Sequence, residues 1–85
     1  MKKFEVTFEG DQIPLGKRLN CVLRNKHIKQ RDLAARVYVE ETCISKYICG
    51  RAYPSIPTLV LIAKELNVST DYLLGFTSWP YEREN

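Results

Sequence analysis

Residues 3–9, KFEVTFE, alternate strictly between apolar and polar side chains. Phe4, Val6 and Phe8 fall on one face, and Lys3, Glu5, Thr7 and Glu9 on the other, which is the two-residue period of a strand. GDQIP then breaks the pattern. A lone strand is unstable in water, and the only other extended-looking piece is the tail FTSWPYE. From Leu15 the period lengthens. Leu15, Leu19, Val22 and Leu23 follow the i, i+4, i+7, i+8 spacing of one helix face, with Pro14 suited to a first turn and Lys17, Arg18, Arg24 and Lys26 on the remaining surface.

Four more helices follow. A short one from Gln30 to about Arg36 buries Leu33, Ala34 and Val37. The next, Glu41 to Cys49, buries Ile44, Tyr47 and Ile48 and is stopped by Gly50. Ser55 caps a helix over 56–66, with Asn67 at its left-handed end, and Ser69 caps a short one over 70–74, closed by Gly75. The pattern predicts an all-α, compact five-helix bundle with an N-terminal strand-like arm. The chain divides into an arm (1–14), a helical domain (15–75) and a tail (76–85).

Length and charge narrow the function. Eighty-five residues make one small domain with a single modest core. The net charge is +3, but the excess is local. Residues 15–75 hold ten Lys/Arg against five Asp/Glu, while the arm and the tail are each slightly acidic. A basic middle suits a polyanion-binding domain. Three cysteines (Cys21, Cys43 and Cys49) with no CxxC pair read as reduced thiols of a cytoplasmic protein. No apolar run is long enough to span a membrane, and the start lacks the apolar core of a signal peptide. One histidine, no paired carboxylates, no phosphate-binding glycine loop and no metal-ligand cluster exclude an enzyme and call for no cofactor or metal. His27, at the end of the first helix, reads as a capping residue.

Two short helices joined by about four residues and enclosed by outer helices are a helix-turn-helix arrangement. KQRDLAARVYVEETCISKYICGRAYPSIPTLVLIAKELNVSTDYLLG resembles the Cro/C1-type (XRE-like) helix-turn-helix domain of phage repressors and bacterial regulators. The matching positions include Gln30, Leu33, Ala34, Ile44, Tyr47, Gly50, Pro54, Leu59, Leu66, Asp71 and Gly75, and the similarity covers 15–75. The resemblance implies that Glu41, Thr42 and Lys46 face base edges, with Ser45 adding a hydroxyl. It places Lys29, Gln30, Arg51 and Tyr53 against the sugar–phosphate backbone. The side chains suit these roles: Lys46 can donate to guanine O6/N7, Thr42 can meet a thymine methyl and Glu41 can accept from cytosine N4.

The chain departs from the family pattern at several points. Tyr38 stands where the turn usually has glycine, at a cost of ~1–2 kcal/mol if it keeps positive φ. Glu40 replaces the usual Ser or Thr cap, and two carboxylates approach the expected phosphates. Leu23 and Ile48 are apolar where many relatives pair arginine with glutamate, and should touch. Leu61, with Tyr53, Tyr72, Phe76 and Trp79, forms an apolar patch that is either covered by the tail or a subunit interface.

The resemblance implies a sequence-specific transcriptional regulator, a small repressor of phage or mobile-element type binding double-stranded DNA as a homodimer. The dimer forms through the arm, through the fifth helix and tail, or only on DNA. The alternative is a protein-interaction module, antirepressor or antitoxin-like, whose acidic third helix meets a basic protein surface.

Overall fold

The computed structural model describes residues 13–81. Among them the chain forms five helices and no strand: α1 Leu15–Lys26, α2 Gln30–Arg36, α3 Glu41–Cys49, α4 Ile56–Leu66 and α5 Thr70–Leu74. The alternating segment 3–9 lies outside the described residues. Each helix places one fully buried residue at the centre: Leu19, Leu33, Ile44, Ile62 and Leu73 have no exposed surface. Burying such a side chain stabilises by roughly 1.5–3 kcal/mol. Ile13 and Ile48 pack at the edge of this core, and Leu23 lies within it. Leu23 and Ile48 thus share one apolar cluster in place of a charge pair.

All five helices end alike. A residue in the left-handed region follows each one, directly at four of them and after Val37 (φ −111°) at α2: His27 (φ 58°), Tyr38 (φ 63°), Gly50 (φ 80°), Asn67 (φ 57°) and Gly75 (φ 95°). The next N–H then reaches back five residues: Ile28 to Leu23, Val39 to Ala34, Arg51 to Lys46, Val68 to Ala63 and Phe76 to Asp71, all at 2.9–3.0 Å. These bonds satisfy carbonyls that a helix end leaves open, and the residue after the turn often adds an apolar contact. Ile28 and Val39 do so at the core edge and Val68 within it.

The helices start less uniformly. Ser55 Oγ accepts from the Thr58 N–H (3.3 Å) and Ser69 Oγ from the Tyr72 N–H (3.0 Å). Lys29 and Glu40, the residues before α2 and α3, make no side-chain cap. Pro14 sits just before α1, not inside its first turn, and its carbonyl accepts from the Arg18 N–H (3.1 Å).

α2 packs chiefly on α3, α1 crosses α3, and α5 joins α1 to α4. The α1–α3 crossing depends on Gly16. A Cβ there would run into the Ile48 carbonyl oxygen and lie 2.9 Å from that of Tyr47. α1 therefore touches the backbone of α3 directly, which fixes the position of the third helix.

Arg18 is not the surface decoration that its charge suggests. Its guanidinium donates to the carbonyls of Tyr72 (2.7 Å) and Thr77 (2.5 Å) and lies 4.6 Å from the centre of the Tyr72 ring. Together with the Ser69 N–H donating to the Pro80 carbonyl (2.7 Å), it holds the tail against α1 and α5. The tail brings Tyr81 into a groove with Val60, Lys64 and Val68. Leu61, one residue further round α4, stays 37% exposed. Of the residues grouped with it as a patch, Tyr72 is half-buried.

Candidate nucleic-acid interface

α3 has one face for the core and one for solvent. Ile44 and Tyr47 are buried, with Cys43 and Ile48 half-buried beside them. Burial raises the Tyr47 phenol above its ordinary value of 10.0, with Cys43 adding to the effect, so the ring stays neutral near pH 7. Glu41, Thr42, Ser45 and Lys46 are all exposed. At 100° per residue they form two columns, Glu41 over Ser45 and Thr42 over Lys46, within an arc of about 140°. None of these side chains has a hydrogen-bond or ion-pair partner among the described residues.

Glu40 precedes this helix with an extended backbone (φ −80°, ψ 155°). Its carboxylate does not cap, although negative charge is favourable at a helix N-terminus. The turn before it carries Tyr38 in the left-handed region and 85% exposed. The turn keeps the geometry that glycine would allow, with a tyrosine in its place, as the sequence raised as a possibility.

The phosphate-contact candidates flank α3. Lys29, exposed, is the residue before α2, and Gln30, half-buried, is its first residue. The Lys29 carbonyl accepts from the Asp32 and Leu33 N–H groups (3.0 and 3.1 Å), leaving those of Gln30 and Arg31 pointing out of the helix end. Arg51 and Tyr53 are exposed in the loop after α3, and the Arg51 N–H closes that helix on Lys46. The eight candidates thus occupy three places: the start of α2, the outer face of α3 and the loop leaving it. Lys29, Lys46 and Arg51 set three cations against Glu40 and Glu41.

Two structural residues escaped the sequence reading. Gly16 shows nothing in the apolar period, because its reason is another helix's backbone. Arg18 lies three residues after Leu15 and four before Val22, beside the buried stripe, and that spacing was the available hint. Arg36, loosely paired with Glu65 of α4 at 4.0 Å with both side chains exposed, adds little. Among the described residues, no helix is long and apolar enough to cross a membrane.

Comparison with known proteins agrees with this geometry. A helix-turn-helix domain model matches residues 16–75. The HTH-type transcriptional activator BcrR of Enterococcus faecalis is 36% identical over 58 residues, covering 68% of this chain and 28% of BcrR. The chain therefore spans under a third of that relative's length. Among solved structures, the P22 c2 repressor in complex with a synthetic operator superimposes with a TM-score of 0.72 at 29% identity, covering 78% of this chain and 98% of the repressor chain. The N-terminal DNA-binding domain of SinR from Bacillus subtilis gives 0.67 at 26% identity, covering 72% and 90%.

Proposed function

The chain belongs to the helix-turn-helix domain family of the Cro/C1 type, and from that premise we propose that it is a sequence-specific DNA-binding transcriptional regulator. α3 is the recognition helix and enters the major groove, with Glu41, Thr42, Ser45 and Lys46 toward the base edges. Lys29 and Gln30 at the start of α2, and Arg51 and Tyr53 after α3, hold the sugar–phosphate backbone and set the register. The observation that carries this reading is the outer face of α3: four polar side chains, exposed and without partners among the described residues, on a helix whose other face is anchored in the core.

No chemical step is needed. Occupying an operator excludes polymerase, so the chain acts as a small repressor of phage or mobile-element type, in the cytoplasm where its DNA lies. One α3 offers few base contacts, and two copies on a two-fold operator supply the rest. Selection from a random duplex DNA pool at near-physiological salt tests the reading. An enriched palindrome with half-sites about one helical turn apart is expected, and its affinity should fall steeply as salt rises. No enrichment by folded protein would refute it.

One observation favours a second reading. Glu40 and Glu41 put two carboxylates at the leading end of α3, where they repel phosphates. A protein-interaction role, antirepressor or antitoxin-like, would turn this end toward a basic protein surface. Such a complex would persist without DNA.

A further inference from the structure

We propose that a cationic ridge at the flank of α3, made by Lys17 and Arg24 of α1 and Arg31 of α2, grips the duplex backbone outside the base pairs that α3 reads and supplies the attraction that α3 lacks. This rests on the reading that α3 docks on duplex DNA, and it adds three residues to the backbone contacts proposed above.

The charge balance of α3 creates the need. Its leading end and outer face hold two carboxylates, Glu40 and Glu41, against one cation, Lys46. Such a face does not attract phosphates. Lys29 and Arg51 raise the balance only to three cations against two carboxylates. Affinity for duplex DNA comes chiefly from cations that displace its counterions. The remaining attraction has to come from elsewhere on the domain.

The first quarter of the helical body is where the cations are concentrated. Residues 12–31 hold six Lys/Arg and no Asp or Glu. The fold divides these six by use. Arg18 is engaged by the carbonyls of Tyr72 and Thr77. Lys26 borders a groove under Pro80 and Tyr81, beside Val22 and Val68. Lys29 immediately precedes α2. Lys17, Arg24 and Arg31 remain, all exposed and without an ion-pair or hydrogen-bond partner among the described residues.

Their placement points to one ridge. Lys17 and Arg24 are seven residues apart, so they fall within about 20° of each other on α1. Their stripe lies about 80–100° round from Gly16, the residue that meets the carbonyls of Tyr47 and Ile48. Because Gly16 lets α1 touch the backbone of α3, no layer of side chains separates the two helices there. The stripe therefore stands at the flank of α3 and is not set back from it. His27, in the left-handed region, then turns the chain, and α2 opens four residues after α1 ends. Arg31 continues the ridge across that corner. Contacts to the backbone carry no sequence information. The ridge thus sets how tightly the chain binds any duplex, and α3 sets which duplex is preferred.

The test is the salt dependence of binding to the duplex that the wild-type chain enriches. It compares the wild type, the ridge variant K17Q/R24Q/R31Q and a control, K26Q/R36Q/K64Q, that makes the same charge change off the ridge. Each is checked for an unchanged melting curve, and R24Q and R31Q singly replace the triple variant if it melts early. Each phosphate neutralised contributes about −0.9 to the slope of log affinity against log salt. The ridge variant should lose about 2–3 from that slope. Its affinity should then fall about 40-fold less than that of the wild type between about 50 and 200 mM salt. It should enrich the same motif, and the control should keep a slope within about 1 of the wild type. Trimming the flanking duplex back to the motif should weaken the wild type and leave the ridge variant nearly unchanged. A ridge variant with the wild-type slope, or a control that loses as much, would overturn the ridge while DNA binding stands. An altered motif from the ridge variant would overturn it too, by placing these residues on bases. No motif from the wild type would overturn both readings.

Discussion

The α2–turn–α3 unit and the α4–α5 unit are both pairs of helices joined by a short connection, yet they are built to different standards. α4 and α5 each begin with a serine that caps the helix, and Asn67 and Gly75 suit the left-handed turns that end them. α2 and α3 begin with Lys29 and Glu40, which cap nothing, and are joined through a tyrosine at φ 63°. The α4–α5 pair satisfies its helix ends with its own residues. The α2–α3 pair gives up local stability: its first N–H groups have no side-chain cap, and its outer side chains are exposed. What holds it is tertiary: Leu33 and Ile44 at the centre of the core, and the backbone contact at Gly16.

That difference is broken most severely at Gly16. G16A would gain helix propensity of roughly 1 kcal/mol. Against it stands a methyl group forced onto the carbonyls of Tyr47 and Ile48, and overpacking of this kind costs ~1–3 kcal/mol or more. Because the obstacle is backbone, it cannot be relieved by a rotamer change. We expect a net loss of stability, read as a lower urea midpoint, with DNA affinity falling further than the stability loss alone explains because α3 is displaced.

Exchanging the caps comes next. S69A should destabilise by about 1 kcal/mol through loss of the bond to the Tyr72 N–H. E40S should do the reverse at α3, adding a side-chain acceptor where none exists and gaining about 1 kcal/mol. It should also tighten binding to every duplex by removing a carboxylate. If E40S left thermal stability unchanged, the start of α3 would be satisfied in some way other than by a missing cap.

Tyr38 gives a smaller, one-sided effect. Replacing it with glycine removes the left-handed penalty of ~1–2 kcal/mol but adds unfolded-state entropy of roughly 0.5–1 kcal/mol. The balance is a gain of about 0.5 kcal/mol, visible as a slightly raised melting temperature. The side chain is 85% exposed, so no packing is lost to obscure it.

The same comparison shows why some features were legible in the chain and others were not. Helix bounds were readable because Ser55, Ser69, Gly50, Asn67 and Gly75 each carry a local preference that the structure uses. The outer face of α3 was readable because Ile44 and Tyr47 fix which side is buried. Gly16 and Arg18 were not. The first answers to a carbonyl in α3 and the second to carbonyls 54 and 59 residues away. No local period records such contacts. The alternating arm has a clear period but lies outside the described residues, and its partner cannot be read from the period alone.

The smallest effect probes how firmly the core grips α3. Tyr47 is the buried residue of that helix that can ionise, and burial holds its phenol above 10.0. With the folded value raised, the folded state binds the proton more tightly than the unfolded one. Its contribution is therefore fully present below about pH 10 and is lost as pH rises through the folded value. Y47F keeps the ring and removes the proton. The urea midpoint of the wild type should fall more than that of Y47F between about pH 8 and pH 11, and the two should respond alike below about pH 9. Parallel behaviour across the whole range would mean that the phenol reaches water in the folded protein, and that α3 is held less firmly than its burial indicates.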